Sequence, residues 1–219
     1  ARPRVSLSGI AVNGHRDGPM FASARVEALG FDPVGHSPGL QGLAGRFEAD
    51  ADGFAFDLDE NSPMRFDWPS GFGVPHTFKL QGSVGGWREG AGWRIGTTAL
   101  RIDGDVSLSA RGGLWWQGDG SRPWIDIAAD LDPIKLPTAK GFWVRSQMSD
   151  RLVNWLDTAL VGGTLVDGHA VVSGDLDDWP FNRNNGLFHA GGKLRGATVK
   201  FQPDWPAVVT AADNVRAQH

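Results

Sequence analysis

The first stretch whose residue types could do chemistry is GHSPG, residues 35–39, which matches the G-x-S-x-G pattern of a serine nucleophile. In that pattern a helix follows the serine directly, and the backbone N–H of the next residue helps to bind the oxyanion. Here the next residue is Pro38, which has no N–H, and the alternating sequence GLAGRFEAD follows. The sequence therefore predicts a turn at Ser37 and no nucleophile.

Carboxylates are the second candidate for chemistry, because DADG at residues 50–53 is followed by Asp57, Asp59 and Glu60. A calcium-binding EF-hand loop needs D-x-[DN]-x-[DN]-G and a glutamate at its twelfth position, and neither register is met. The six histidines lack H-x-x-x-H spacing, and the chain has no cysteine. We therefore expect no catalytic residue, no metal site and no cofactor, and we do not expect an enzyme.

Composition narrows the classes of partner. The net charge is −4, with acidic and basic residues interspersed, whereas a nucleic-acid-binding face needs clustered Lys and Arg. No apolar run approaches the roughly 20 residues that a membrane-spanning helix requires. The chain begins with Ala1 rather than Met. We interpret it as a piece excised from a longer protein, with nucleic acid excluded as a partner.

Short alternations of apolar and polar residues recur along the first two thirds of the chain. In GFAFDLDE, residues 53–60, the large apolar residues alternate with small or acidic ones. Because successive side chains of a strand point to opposite faces, this pattern predicts strands with one apolar face. Turns rich in Gly and Asp separate the runs, as is typical of antiparallel sheet. The candidate apolar-face residues are Phe47, Phe54, Phe56, Leu58, Phe66, Phe78, Leu80, Ile125 and Ile127.

One segment has helical periodicity instead. In SDRLVNWLDTALVGG, residues 149–163, apolar residues recur at spacings of three and four. Ser149 is a suitable N-cap, and Gly162 and Gly163 are suitable for a left-handed helix end. The pattern predicts one amphipathic helix over about 149–160. The side chains expected to pack on the sheet are Leu152, Trp155, Leu156 and Leu160.

An ordered set of short motifs occupies the last third of the chain. It consists of an LP lead-in, a WL…A…GG helix, an aromatic-Pro-Phe turn, a GLF segment and a closing DWP. Their order and spacing resemble those of the YhdP/AsmA-like family of Gram-negative bacteria, a group that includes TamB. The matching residues are Leu136, Pro137, Trp155, Leu156, Ala159, Gly162, Gly163, Trp179, Pro180, Phe181, Gly186, Leu187, Phe188, Asp204, Trp205 and Pro206.

The resemblance implies a fold and a function. Members of this family are similar to bridge-like lipid-transfer proteins, with long, curved antiparallel sheets whose apolar concave side forms a groove. They are anchored in the inner membrane and move phospholipids to the outer membrane. The chain would then be a segment of a periplasmic lipid conduit that contacts phospholipid acyl chains, without its inner-membrane anchor. The candidate apolar-face residues named above would line its groove. Residues 1–145 would form a β segment of the groove, and residues 146–219 a helix and a continuing β segment of the same unit.

An alternative function is carbohydrate binding by a closed β-sandwich. Alternation does not distinguish a sandwich core from a face kept open for a ligand. Ten tryptophans in a glycine-rich β chain would suit a sugar-binding module. The best local candidate is GLWWQGDG, with Trp115, Trp116, Gln117 and Asp119.

Overall fold

All strands in the described part of the chain belong to one antiparallel sheet. The computed structural model describes residues 2–15, 18–142, 148–179, 181, 183–200 and 208–218, with backbone alone for the last range. The strand order is β1-β2-β3-β4-β6-β7-β8-β9-β11-β12-β13, with β5 beside β3 and β6, and β10 beside β11. The strands are β1 Arg4–Gly14, β2 Met20–Phe31, β3 Gly39–Ala49, β4 Gly53–Leu58, β5 Pro63–Asp67, β6 His76–Glu89, β7 Gly92–Gly104, β8 Leu108–Trp116, β9 Trp124–Leu131, β10 Ile134–Lys135, β11 Leu160–Asp175, β12 Gly186–Val199 and β13 Val208–Gln218. The predicted mainly β, antiparallel fold is confirmed.

The turn sequences connect neighbouring strands as their residue types predict. In DADG the Asp50 carboxylate accepts hydrogen bonds from the backbone N–H groups of Asp52 and Gly53, each at 2.9 Å. In GHSPG the backbones of Val34 and Ser37 exchange hydrogen bonds of 3.2 and 3.0 Å. Both stretches therefore form tight turns, and the predicted turn at Ser37 is confirmed.

The sheet exposes more surface than a compact domain of the same mass. Its accessible area is 13661 Å², whereas a compact protein of 23.5 kDa exposes about 9,800 Å². A closed sandwich buries the inner face of each sheet against the other and so approaches the compact value. The large area therefore favours a sheet whose face is not covered by a second sheet.

The helical elements are short. Helix α1, Leu136–Ala139, continues into a 3-10 turn at Lys140–Phe142, and α2 spans Asp150–Ala159. A second 3-10 turn covers Leu176–Asp178. Helix α1 was not expected from apolar periodicity, although Pro137 in its first turn is a recognised start signal. Among the described residues, no helix is both long enough and apolar enough to cross a membrane.

Helix α2 lies at its predicted position, but the predicted left-handed glycine stop at Gly162 and Gly163 is wrong. Ser149 is the N-cap, and its side chain accepts a hydrogen bond from the Leu152 N–H. At the other end Leu160 is already extended, and the chain continues directly into β11. Gly162 and Gly163 therefore lie inside a strand. Gly163 is needed there because a Cβ would come within 2.8 Å of Ala197 Cα on the neighbouring strand.

The predicted buried face of α2 is wrong for Leu152 and Trp155, whereas Leu156 and Leu160 are half-buried and Leu160 packs against the cluster around Leu136. Leu152 and Trp155 are 44% and 45% exposed, whereas Val153 and Ala159 are buried. Val153, one position after Leu152, is therefore buried in its place. Two hydrogen bonds hold the C-terminal end of α2, from Lys140 Nζ to the Asp157 carbonyl and from the Lys200 N–H to the Ala159 carbonyl, at 2.6 and 2.7 Å.

Buried apolar residues form two small clusters beside the helical segment, and others, among them Phe56 and Phe181, are buried at separate places on the sheet. One contains Met64, Phe78, Val106 and Ile134, with Ala139 and Phe142 packed against it. The other contains Leu136, Leu194 and Ala197. Most of the sheet therefore has large apolar residues that are only half-buried.

Candidate functional site

The alternating strands place their large apolar residues on one side of the sheet, here called the apolar face. Phe47 pairs directly with Phe56, and Ala49 pairs with Phe54. Direct partners on antiparallel strands lie on the same face. The Phe47 ring lies 5.8 Å from that of Phe54 and 6.5 Å from that of Phe56. Leu58 joins them through its partner Gly45, so the predicted phenylalanine group is assembled.

A continuous row of partners extends this face across the middle of the sheet. Phe54 pairs with Gly86 on β6, and the row continues through β7, β8 and β9 to β11. The Phe54 ring also approaches that of Trp93 at 5.9 Å. The row consists of Phe54, Gly86, Ile95, Leu114, Ile125 and Gly174. Ile125 and Ile127 thus share a face with Phe54 from four strands away.

The face continues to the edge strand β1. Leu7 pairs with Val26 and Val12 with Ala22, which places both on the apolar face. Val5, Leu7 and Val12 are 57%, 44% and 59% exposed. Neither these residues nor Ile95 and Leu114 were among the sequence candidates. Val5 and Leu7 alternate with serines in strand-like sequence, and this alternation is the signal that places them on one face of β1.

One end of the apolar face is covered by the segment that contains α1. Phe142 stacks on His76 at 4.3 Å and lies 6.4 Å from Phe78. Phe66 and Leu80 pack against the same buried cluster. Phe66, Phe78 and Leu80, predicted to line a groove, therefore lie under a cover. Phe56 is also buried, at 8% exposure, so it belongs to the base of the face.

The opposite end is covered by residues of the family motif. Phe181 is 2% exposed, and its ring lies over Gly174 and Gly186. Trp179 packs edge-on against Phe181 at 5.2 Å and against Phe188 at 5.6 Å. These motif residues close the end of the face beside β11 and β12. Pro180, Trp205 and Pro206, which carry the remainder of the motif, lie outside the described residues.

The other side of the sheet, here called the polar face, carries charged side chains. Asp57 is exposed and accepts a hydrogen bond from Ser83 Oγ at 2.5 Å. The backbone N–H of Asn61 and the Arg25 guanidinium hold the pKa of Asp59 below its ordinary value. These acidic residues therefore cap a turn or pair across strands. Among the described residues, no group of three acidic or histidine side chains is placed to hold a metal ion.

A second charged cluster lies further along the polar face. Arg101 bonds to Asp132 on one side and to Asp103 on the other. The Arg101 guanidinium lowers the pKa of Asp132, and the two carboxylates raise the pKa of Arg101. In this part of the sheet one face is therefore apolar and the other carries ion pairs.

These features define a class of protein, an open antiparallel sheet with one accessible apolar face that is covered only at its ends. The chain matches the YhdP protein family over residues 1–218, and it belongs to that family. It is 31% identical over 123 residues to the intermembrane phospholipid transporter YhdP of Escherichia coli (strain K12), a match that covers 53% of this chain. The match covers 10% of the length of that relative. No solved structure matches the chain.

Proposed function

We propose that this chain is one segment of a periplasmic conduit that carries phospholipids between the inner and outer membranes. Its apolar face receives the acyl chains, and the headgroup stays in water. The membership of the YhdP family and the similarity to an intermembrane phospholipid transporter support a role in lipid transport. The observation that carries the proposal for this segment is the row from Phe54 to Ile125, whose apolar side chains are all half-buried.

The dimensions of the row suit an acyl chain. From β4 to β11 it crosses six neighbouring strands, which is about 24 Å at the usual strand spacing. One leaflet of a bilayer core is roughly 15 Å thick. The row is therefore long enough to cover an extended acyl chain from end to end.

The energetics explain why such a face is useful. Exposing a CH₂ group to water costs about 0.8 kcal/mol, so two chains of about 16 carbons cost roughly 25 kcal/mol. A continuous apolar face removes most of this cost during transfer. The absence of cationic side chains from the central row leaves the headgroup unbound, so the lipid is free to move along the face.

The organisation of the conduit is part of the proposal. Residues 1–145 and 146–219 act as one unit, because β9 pairs directly with β11 across that division. In the full-length protein, other segments supply the inner-membrane anchor and the contact with the outer membrane. The proposed lining residues on the accessible part of the face are Phe47, Phe54, Leu58, Ile95, Leu114, Ile125 and Ile127.

Organic extraction followed by mass spectrometry tests whether the chain retains lipid. The chain purified from bacterial cells without detergent is expected to yield phospholipid. Leu114→Asp should yield much less, because it places a carboxylate on the apolar face. Ser109→Asp lies on the same strand but on the polar face, so it should yield as much as the parent. Equal yields from all three chains, or no phospholipid from the parent, would contradict the proposal.

A further inference from the structure

The polar face carries an aromatic row that lipid transfer does not use. Trp87 on β6 pairs with Arg94 on β7, Arg94 with Trp115 on β8, and Trp115 with Trp124 on β9. These four side chains therefore stand side by side across four strands. Trp116 follows Trp115 in the chain, but it pairs with Trp93 and lies on the apolar face.

A strip of glycines runs beside this row. Gly85, Gly96 and Gly113 are consecutive partners, and Asp126 continues the line on β9. Bare backbone next to large rings leaves a depression, here called the tryptophan trough. It has a volume of about 500 Å³, and its floor is the glycine strip. Its other lining residues include Ser83 and Thr98.

The trough presents aromatic rings that are accessible from solvent. Trp87 and Trp124 are 52% and 39% exposed. The Arg94 guanidinium lies over the Trp115 ring at 4.9 Å, and Trp115 Nε1–H has no hydrogen-bond partner among the described residues. Buried polar groups in proteins are nearly always hydrogen-bonded, so an unpaired indole N–H beside a cleft indicates a missing acceptor.

The charges of the trough select against an anionic ligand. Arg94 is engaged by both carboxylate oxygens of Glu89, and Arg111 beside the trough pairs with Asp130. Asp126 adds an exposed carboxylate, which accepts hydrogen bonds from hydroxyl groups. A phosphate group would need unpaired cations, which this site does not offer. Neutral hydroxyl groups match the acceptor and the donor that remain, the Asp126 carboxylate and Trp115 Nε1–H.

We infer that the tryptophan trough binds a neutral sugar chain. The apolar faces of sugar rings stack on Trp87 and Trp124, and sugar hydroxyls bond to Asp126 and, when the Arg94 side chain moves aside, to Trp115 Nε1–H. The glycine floor lets the chain lie close to the backbone. The site is on the face opposite to the proposed lipid path, so both ligands can be bound together.

Indole N–H resonances provide the test, because each tryptophan gives its own signal in a ¹H–¹⁵N spectrum. Titration with chitotetraose or cellotetraose at millimolar concentrations is expected to shift the signals of Trp87, Trp115 and Trp124. Trp124→Ala should weaken binding about tenfold through loss of a stacking ring. Gly85→Val should block the trough without disturbing the fold, because a Cβ at Gly85 meets only the Phe54 carbonyl at 3.8 Å.

Trp116→Ala is the matched control, because this neighbouring tryptophan is 47% exposed on the opposite face. It should leave sugar affinity unchanged. The inference is overturned if neither sugar shifts the three signals, or if Trp116→Ala weakens binding as much as Trp124→Ala. It is also overturned if phosphatidylglycerol vesicles, and not the sugars, shift the trough signals. Each of these results is independent of whether the apolar face binds lipid.

Discussion

Replacing Phe181 by alanine should lower the melting temperature by roughly 10 °C, because the loss of a buried Phe costs about 3–5 kcal/mol. The Phe181 ring is 2% exposed and fills the space above Gly174 and Gly186. It also supports Trp179, which packs against it at 5.2 Å. Alanine would leave a cavity under the segment that closes one end of the apolar face.

Phe21→Ala is the control for this prediction. Phe21 is 54% exposed, so its truncation removes the same atoms without opening a cavity. Thermal denaturation followed by circular dichroism compares the two variants. If Phe181→Ala melts within about 2 °C of Phe21→Ala, Phe181 does not hold this end of the face as described.

Placing a carboxylate at Phe54 should reduce phospholipid binding about a hundredfold, since an acidic side chain in an apolar lipid environment costs about 3 kcal/mol. Phe54 lies in the central row of the apolar face, and it is half-buried rather than enclosed. Water can therefore reach a carboxylate there when no lipid is bound. The variant should fold and lose lipid, measured as bound phospholipid per chain after incubation with radiolabelled vesicles.

Ala55→Asp is the matched control, because Ala55 follows Phe54 on the same strand and is exposed on the polar face. It should bind as much lipid as the parent. Ile125→Asp repeats the test at a second residue of the same row, four strands away from Phe54. If the Phe54 and Ala55 variants, both folded, bind the same amount of lipid, the apolar face is not the binding surface.

Period-two alternation was sufficient to predict which strand residues share a face. Phe47, Phe54 and Phe56 lie on one face because β3 and β4 pair without a register shift, and the row of direct partners from Phe54 leads to Ile125 on the same face. Alternation did not reveal which residues of the apolar face are covered by other parts of the chain. Phe78 is buried by Phe142, which comes from a segment distant in sequence, and the alternating pattern contains no information about that cover.

Helix α2 shows the limit of helical periodicity. Ser149 and the apolar spacing predicted its position within a residue at each end. Leu152 and Val153 are one position apart on an amphipathic helix, and both neighbouring stripes contain apolar residues. Val153 and Ala159 are buried, and the Lys200 N–H bonds to the Ala159 carbonyl at the helix end. That choice depends on tertiary packing, which the sequence pattern does not contain.

The tryptophan trough could not be predicted from local sequence. Trp87 and Arg94 pair next to the β6–β7 hairpin, whereas Arg94 meets Trp115 beyond a register shift between Thr97 and Leu100. Such bulges bend and re-align strands without a distinctive pattern of residues. The sequence did single out Trp115 and Trp116 together, but the strand places them on opposite faces.

Site-specific photo-crosslinking along β4 tests the lipid-conduit proposal most directly. A photoreactive phenylalanine analogue is introduced singly at Phe54, Ala55, Asp57 and Leu58, and the crosslinked phospholipid is measured in cells. We expect crosslinks at Phe54 and Leu58, which lie on the apolar face, and none at Ala55 and Asp57 on the polar face. Crosslinks of equal yield at all four positions, or none at any, would contradict the proposal.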